Sequence, residues 1–289
     1  MVDSPSPLLP RRRLGSELRT ARQNSGLTQS DVTKTMEWSL SKINRIEQSK
    51  SGISANDLRA LLRLYNVTSQ ESINDLVALA REARKNPWWQ RYRDVAPPKL
   101  LELMDYESAA SAIKQFETTF VPGILQTEEY ASAVLQVFHD DDSERERERV
   151  NVLVDLRTRR RSLLASDDAP KFYFVLDESV VKRLAGGPTV MRRQLESLIA
   201  AAKLPNVTMQ IVPFQAGLHP GMKGPFELVE FDDTPDGDIV FYEEQGGIYI
   251  KDDRKVTDGY RAAFKRIRGR ALSPSDSVGR LTEAIDELA

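Results

Sequence analysis

The sequence predicts an α+β protein: an all-α, five-helix N-terminal domain, then a helical region and a small mixed β-sheet domain. Three observations predict it. Short capped amphipathic patterns follow one another up to about residue 84, prolines and tryptophans interrupt the chain at 87–98, and β-rich segments alternate with helical ones after residue 170.

The 289 residues suggest about two domains, and a 40% hydrophobic content is enough for packed cores. The expected boundaries are a disordered arm over 1–12, a helical domain over 13–84, a linker over 85–98 and a second domain over 99–289. No apolar run approaches the ~18 residues of a membrane span, and Met1 to Pro10 lacks a signal-peptide core, so a cytoplasmic protein with no membrane association is expected. The absence of cysteine excludes disulfides, zinc fingers and thiol chemistry. The net charge of −2 hides an asymmetry: residues 1–65 carry eleven Lys/Arg against six Asp/Glu, and the rest is acidic. A basic head on an acidic body suits a nucleic-acid-binding front end.

Residues 1–10, rich in Pro and Ser, read as disordered, and Arg11, Arg12 and Arg13 extend the arm. Leu14, Leu18 and Ala21 open the first helix, and Gly26 closes it. Thr28 with Asp31 forms a capping box for a second helix that buries Val32 and Met36. Glu37-Trp38-Ser39 is a three-residue turn into a third helix with Ile43 and Ile46 inward. Ser54 with Asp57 caps a fourth, carrying Leu58, Leu61, Leu62 and Tyr65, and Thr68 with Glu71 caps a fifth, carrying Ile73, Leu76, Val77 and Ala80.

Two short helices joined by a three-residue turn make a helix-turn-helix, whose second helix enters the major groove by its N-terminal residues. Here these are Leu40, Ser41, Lys42, Asn44 and Arg45. Ser39 precedes them as N-cap, and Arg19 and Lys50 add general positive charge. Together with Gln29 these residues are the candidate DNA contacts, with double-stranded operator DNA as the partner.

The series Leu14-Gly15-Ser16-Glu17-Leu18-Arg19, Arg22, Gly26-Leu27-Thr28-Gln29 and Ser41-Lys42-Ile43-Asn44-Arg45-Ile46-Glu47 resembles the phage-repressor-type (Cro/C1, XRE) helix-turn-helix, a lambda-repressor-like domain. The resemblance implies that Gln29 bonds a phosphate, that Leu40, Ser41 and Arg45 face bases, and that Glu47 caps or pairs locally. Glu37-Trp38 departs from it, where the family often has glycine in the turn.

In the linker, Trp88, Trp89 and Tyr92 read as hydrophobic anchors rather than base-stacking groups. Residues 99–138 read as helical with an extended interruption at Phe116, Thr118 and Phe120, and Asp140 to Asp142 as an acidic break. Glu144 to Arg149 alternates in sign, and the helix continues with Val150, Leu153, Val154 and the arginines 157 and 159–161. Acids beside bases favour a solvated, salt-bridged helix over a nucleic-acid patch. Strands are expected at 172–176, 207–212 and 226–231, with a hairpin of 239–242 and 248–250 around Gly246-Gly247. Helices follow Gly186-Gly187-Pro188 and fill about 255–270 and 275–288. The stripe Val278, Leu281, Ile285 and Leu288 fits either a dimer contact or a lid on the sheet.

Phe120-Val121-Pro122-Gly123-Ile124-Leu125-Gln126-Thr127, Tyr130-Ala131, Asp177-Glu178, Gly186-Gly187, the segment 207–214 and Gly224-Pro225-Phe226 resemble the C-terminal domain of a large group of bacterial helix-turn-helix regulators. These regulators are common in antibiotic-producing soil bacteria, and the domain is mainly of unknown function. The resemblance implies an antitoxin-like protein paired with a small protein encoded next door.

No chemistry stands out. His139 and His219 are far apart, no nucleophile elbow or P-loop occurs, and Asp177-Glu178 suits a helix cap. The glycine-rich segment 217–224 reads as a flexible loop between strands. The sequence thus predicts no enzyme, cofactor, metal or catalytic residue. It predicts a dimeric DNA-binding regulator, since specific affinity usually needs two half-sites. The alternatives are an antitoxin-like module and a small-molecule sensor, the last requiring a mostly apolar pocket with convergent polar groups.

Overall fold

The computed structural model describes residues 7–138, 143–232, 237–244 and 247–288. The chain forms two compact units, a head ending at Gln90 and a body made of Arg91–Asp232 and Gly237–Ala289. Residues 1–6, His139, the acidic break at 140–142 and Gly246 lie outside the described residues.

The head holds α1 (Leu8–Asn24), α2 (Gln29–Met36), α3 (Leu40–Glu47), α4 (Ala55–Leu64) and α5 (Gln70–Glu82). The expected five helices are present, packed on Leu18, Val32, Ile43, Leu58 and Leu61, all fully buried. Helix α1 starts at Leu8, so the expected disordered arm does not extend over residues 8–12. The cause is packing: Leu8 and Arg12 are buried, and the Arg11 guanidinium donates to the carbonyl of Ala83 at 3.0 and 3.3 Å, capping the end of α5. The capping box of α2 forms as expected, with Thr28 Oγ1 accepting from Asp31 N and the Asp31 carboxylate accepting from Thr28 N at 2.9 Å. The expected Thr68 cap of α5 is displaced by one residue: Ser69 Oγ accepts from Ser72 N.

The interval expected as linker contains a short 3-10 helix, Trp88–Tyr92, and Trp89 and Tyr92 are buried as anchors. The body continues with α6 (Pro98–Glu107), β1 (Ala112–Glu117), α7 (Glu128–Val137) and α8 (Glu144–Arg160). After these come β2 (Lys171–Asp177), α9 (Glu178–Lys182), α10 (Pro188–Ala201), β3 (Val207–Val212) and β4 (Phe226–Glu230). The chain ends with β5 (Ile239–Glu244), β6 (Gly247–Lys251), α11 (Arg254–Arg268) and α12 (Pro274–Asp286). The extended interruption lies at 112–117, earlier than the alternation of Phe116, Thr118 and Phe120 suggests, because Val121-Pro122 already turns into a 3-10 helix at Gly123–Leu125.

The strands form one mixed sheet in the order β3-β2-β1-β4-β5-β6. β1, β2 and β3 pair in parallel, while β4, β5 and β6 add on antiparallel. Side chains alternate between faces. Ile113, Phe172, Phe174, Leu176, Met209, Ile211 and Val229 join one core with Leu103, Tyr130, Leu195 and Leu198 of α6, α7 and α10. Phe116, Val175, Val212, Phe226, Leu228 and Val240 join the opposite core with Phe264 and Ile267 of α11. Two covered faces explain why β2 reads as a nearly continuous apolar run from Phe172 to Leu176.

Of the stripe Val278, Leu281, Ile285 and Leu288, the last three pack as a lid on the sheet. Leu281 and Ala284 are buried and Ile285 and Leu288 pack on the core. Ser277 Oγ accepts from Ile211 N at 2.9 Å and Leu272 N donates to Ile211 O at 2.8 Å, so the segment also covers the free edge of β3.

The glycine-rich segment 217–224 connects β3 to β4 as expected and is seated on the sheet through His219 and Gly221, while Leu218 and Met222 are exposed. His219 is buried with its ring edge-on to Phe116, and a 3-10 turn at Pro220–Lys223 lies over the same ring. A Cβ on Gly221 would fall 2.2 Å from Phe116 Cε1, so only glycine fits. Gly221→Ala is expected to lower stability by about 1–3 kcal/mol through overpacking. The check is the urea midpoint at constant slope; an unchanged midpoint would show that the turn moves off the sheet without loss.

Candidate nucleic-acid interface and body cavity

In the head, α2 and α3 are joined by Glu37, Trp38 and Ser39. Glu37 adopts the left-handed conformation (φ 54°) that the resemblance assigns to glycine. Trp38 packs on the head's core, and the Lys42 ammonium stands 3.8 Å from its ring centroid. Ser39 is the N-cap of α3, accepting from Lys42 N.

The orientation of α3 is set from beneath. Glu47 is 2% exposed, and its carboxylate accepts Arg22 Nε at 2.6 Å, Arg22 Nη2 at 2.9 Å and Gln29 Nε2 at 2.8 Å. One carboxylate therefore ties α1, α2 and α3 together, and these hydrogen bonds raise the Arg22 pKa further above its ordinary value. Arg22 also donates to Leu27 O at 2.9 Å, fixing the turn before α2. Gly15 allows the close approach of α1 to the end of α3: a Cβ there would meet Ser49 Oγ at 2.7 Å and Ile46 O at 2.9 Å.

The sequence-predicted contacts divide by environment. Leu40, Ser41, Asn44 and Arg45 lie exposed on α3, and Ser39, Arg19 and Lys50 are exposed as well. Leu40, at 57% exposure, is an apolar group at the helix start with the chemistry to meet a thymine methyl. Arg45 Nη1 donates to Ser41 Oγ at 2.7 Å, holding the guanidinium along the helix. Lys42 is half-buried and donates to Asp57 Oδ2 at 3.0 Å. Gln29 is half-buried against Glu47, and Glu47 pairs locally as the resemblance implies.

The body contains a site that the sequence reading did not assemble. A cavity of about 500 Å³ lies between the β1-β4-β5 face of the sheet and α6 and α8. Its walls are mostly apolar, with Met104, Phe120, Leu153 and Phe241 among them. Gln115, Glu117, Glu227, Arg157 and Arg160 converge on it. Gln115 is paired in register with Glu227, and Glu117 follows two residues on, so a polar row interrupts an apolar sheet face. The expectation of a solvated α8 fails at its C-terminal half. Leu153, Leu156, Arg157 and Arg160 share one face at helical spacing, and Arg160 is buried, bonded to Glu107 on both guanidinium edges, with Nε to Oε2 at 2.7 Å. That spacing was the available signal.

The electrostatics follow from burial. Desolvation pushes the Glu117 pKa up to about 8 despite the hydrogen bond from Gln115 Nε2, and the charge of Glu243 adds to the rise. Burial, and then the charge of Glu107, raises Glu227 well above the carboxylate range. Arg157 falls to about 10, through burial first and the neighbouring Arg160 second. Burial opposes the charge of Arg160, but the charge of Glu107 and its hydrogen bonds outweigh it and hold the guanidinium protonated.

Comparison with known families agrees with this division. A family described as a helix-turn-helix domain matches residues 13–76. A second, described as Domain of unknown function (DUF5753), matches residues 100–283, more than half of the chain. The chain belongs to the DUF5753 family. No curated protein and no solved structure matches it. A helix-turn-helix domain ahead of the DUF5753 domain suggests DNA binding and regulation. Among the described residues, no helix is long and apolar enough to cross a membrane.

Two outcomes follow. Glu47→Gln leaves the half-buried Arg22 without its counter-charge and is expected to cost about 1–3 kcal/mol; an unchanged urea midpoint of the fluorescence transition would refute the tie. Glu117 binds its proton more tightly folded than unfolded, so it removes stability as pH rises from its ordinary 4.5 to about 8. Glu117→Gln should therefore flatten the fall of melting temperature across that window, and parallel profiles for the two proteins would contradict the assignment.

Proposed function

We propose that this protein is a sequence-specific, DNA-binding transcription regulator of the phage-repressor-like type, acting in the cytoplasm as a homodimer on paired half-sites. The observation that carries the reading is the exposed face of Leu40, Ser41, Asn44 and Arg45 on a helix anchored from below by Glu47. Arg45 and Ser41 are the base-reading pair, and Leu40 the apolar contact. Gln29 and Lys42 act from the margin: each must exchange its present partner, Glu47 or Asp57, for a phosphate, or else serve by holding α3 in place. Arg19, Ser39 and Lys50 contribute to the phosphate-facing field. A small partner encoded nearby is implied by the resemblance alone.

The body is proposed to regulate rather than catalyse. Ser179 Oγ lies 2.5 Å from Asp177 Oδ1 and 2.7 Å from Thr118 O, so among the described residues its hydroxyl is addressed by acceptors and by no histidine base. A second reading, sensing of a small molecule by the body, is favoured by the apolar cavity with its convergent polar groups.

A gel shift on the protein's own promoter tests the first reading; no sequence preference at moderate salt would sink it. Arg45→Ala is expected to cost about 1–3 kcal/mol of operator binding and to relax selectivity at one base position. Retention of full selectivity would remove α3 as the reading helix.

A further inference from the structure

The cavity in the body holds more carboxyl groups than cations to satisfy them. Arg160 bonds Glu107 on both guanidinium edges and also stands 3.9 Å from Glu227 Oε2. That leaves Arg157, which donates to Gln126 Oε1 at 3.0 Å, facing Glu117, Glu227 and the exposed Glu243. Glu227 is 2% exposed and its Oε1 has no hydrogen-bond partner. A buried acceptor left unbonded costs about 1–3 kcal/mol, so it is retained only where something else is gained. A wholly apolar filling of the same face would be as stable or more so.

We infer that this cavity binds a small organic cation, an amine head on an apolar body, with Glu117 and Glu227 as its anchors. The inference rests on the sensor reading of the body and names the ligand class for it. Glu117 and Glu227 are diagonal neighbours on the paired strands β1 and β4, about 7–8 Å apart on such a ladder. An ammonium between them offers three donors to two carboxyls. Phe120, Phe241, Leu153 and Met104 take the apolar part, and about 500 Å³ suits a ligand of ordinary metabolite size. An anionic ligand, an acceptor only, would offer no donor to the unbonded Glu227 Oε1.

Binding carries a proton signature. In the empty cavity at neutral pH, Glu117 holds its proton. Entry of a protonated amine converts the acid to a carboxylate–ammonium pair and releases that proton to solvent, with no other bond made or broken. The charged and titratable groups facing Glu117 are Glu243 and Glu227 from the sheet, Arg157 and Arg160 from α8, Glu107 from α6 and the Tyr130 hydroxyl from α7. Affinity should therefore rise up to about tenfold per pH unit towards pH 8 and then level.

The test uses the full chain and a panel of phenethylamine, tryptamine and octylamine, with hydrocinnamate and phenethyl alcohol as carboxylate and neutral counterparts. Melting temperature reads binding, and calorimetry in two buffers of different ionisation heat reads the proton. The expected result is a melting shift with at least one amine and not with the counterparts, and proton release at pH 7. Glu117→Gln should abolish that release and weaken binding at least about tenfold. Glutamine copies the neutral acid already present, so this variant should fold. Thr119→Trp, which fills the cavity and keeps every carboxyl, should abolish binding. A shift with hydrocinnamate or the alcohol but no amine overturns the cation assignment and leaves the sensor reading standing. No shift with any compound, or equal shifts in wild type and Thr119→Trp, overturns both.

Discussion

A carboxylate sealed beneath a helix has to be surrounded by donors, and in the head that requirement fixes the geometry of everything above it. Glu47 sits in the last turn of α3 and draws Arg22 from α1 and Gln29 from α2 into one set of hydrogen bonds. Arg22 in turn holds Leu27 O, so the approach to α2 is part of the same network. Hydrophobic packing on Ile43 and Ile46 resists separation of the helices but has little preference in rotation. Bidentate charge-assisted bonds have narrow distance and angle ranges, so they supply the rotational setting that packing does not. The face bearing Leu40, Ser41 and Arg45 is thus presented by a buried polar contact on the opposite side of the same helix.

The body answers the same requirement twice, once fully and once not. Glu107 and Arg160 satisfy each other across α6 and α8. Glu227, beside them, keeps an oxygen without a partner, and Glu117 shifts its protonation instead. The sheet around this row is otherwise well supported: α12 covers the β3 edge, α11 covers one face, and the turn at Gly221 seats on Phe116. The unsatisfied groups therefore sit in a scaffold rigid enough to hold them apart, which is the condition under which a polar cavity stays open rather than collapsing.

How much of this was legible depended on range. Local chemistry read well: the Thr28–Asp31 box, the Ser39 and Ser54 caps, the helix after Gly187-Pro188 and β3 at 207–212 are all determined within a few residues. The start of α1 is not legible locally because Arg11 gains its order from Ala83, seventy-two positions away. The α5 cap slipped by one because Thr68 and Ser69 offer the same hydroxyl chemistry. In the candidate interface, the exposed face of α3 followed from periodicity, but the engagement of Gln29 and Lys42 with Glu47 and Asp57 did not, since neither partner is local. The cavity was the least legible feature. Gln115, Glu117, Glu227 and Arg157 come from three elements, and only the β1-β4 register brings the first three together.

The arginines of α8 show why charge patterning alone misleads. From Glu144 to Arg149 alternation of sign does mark a largely exposed surface. Beyond Val150 the same residue type continues, but Arg157 and Arg160 fall on the stripe set by Leu153 and Leu156. Charge type says what a side chain costs to bury; helical spacing says whether it is buried. Where the two conflict, spacing decides position, and the chain must then supply a counter-charge or leave the group to titrate. Arg160 received a counter-charge in Glu107. Arg157 received an amide, Gln126, and its charge therefore remains in the cavity as a guanidinium that a ligand would have to arrange itself around.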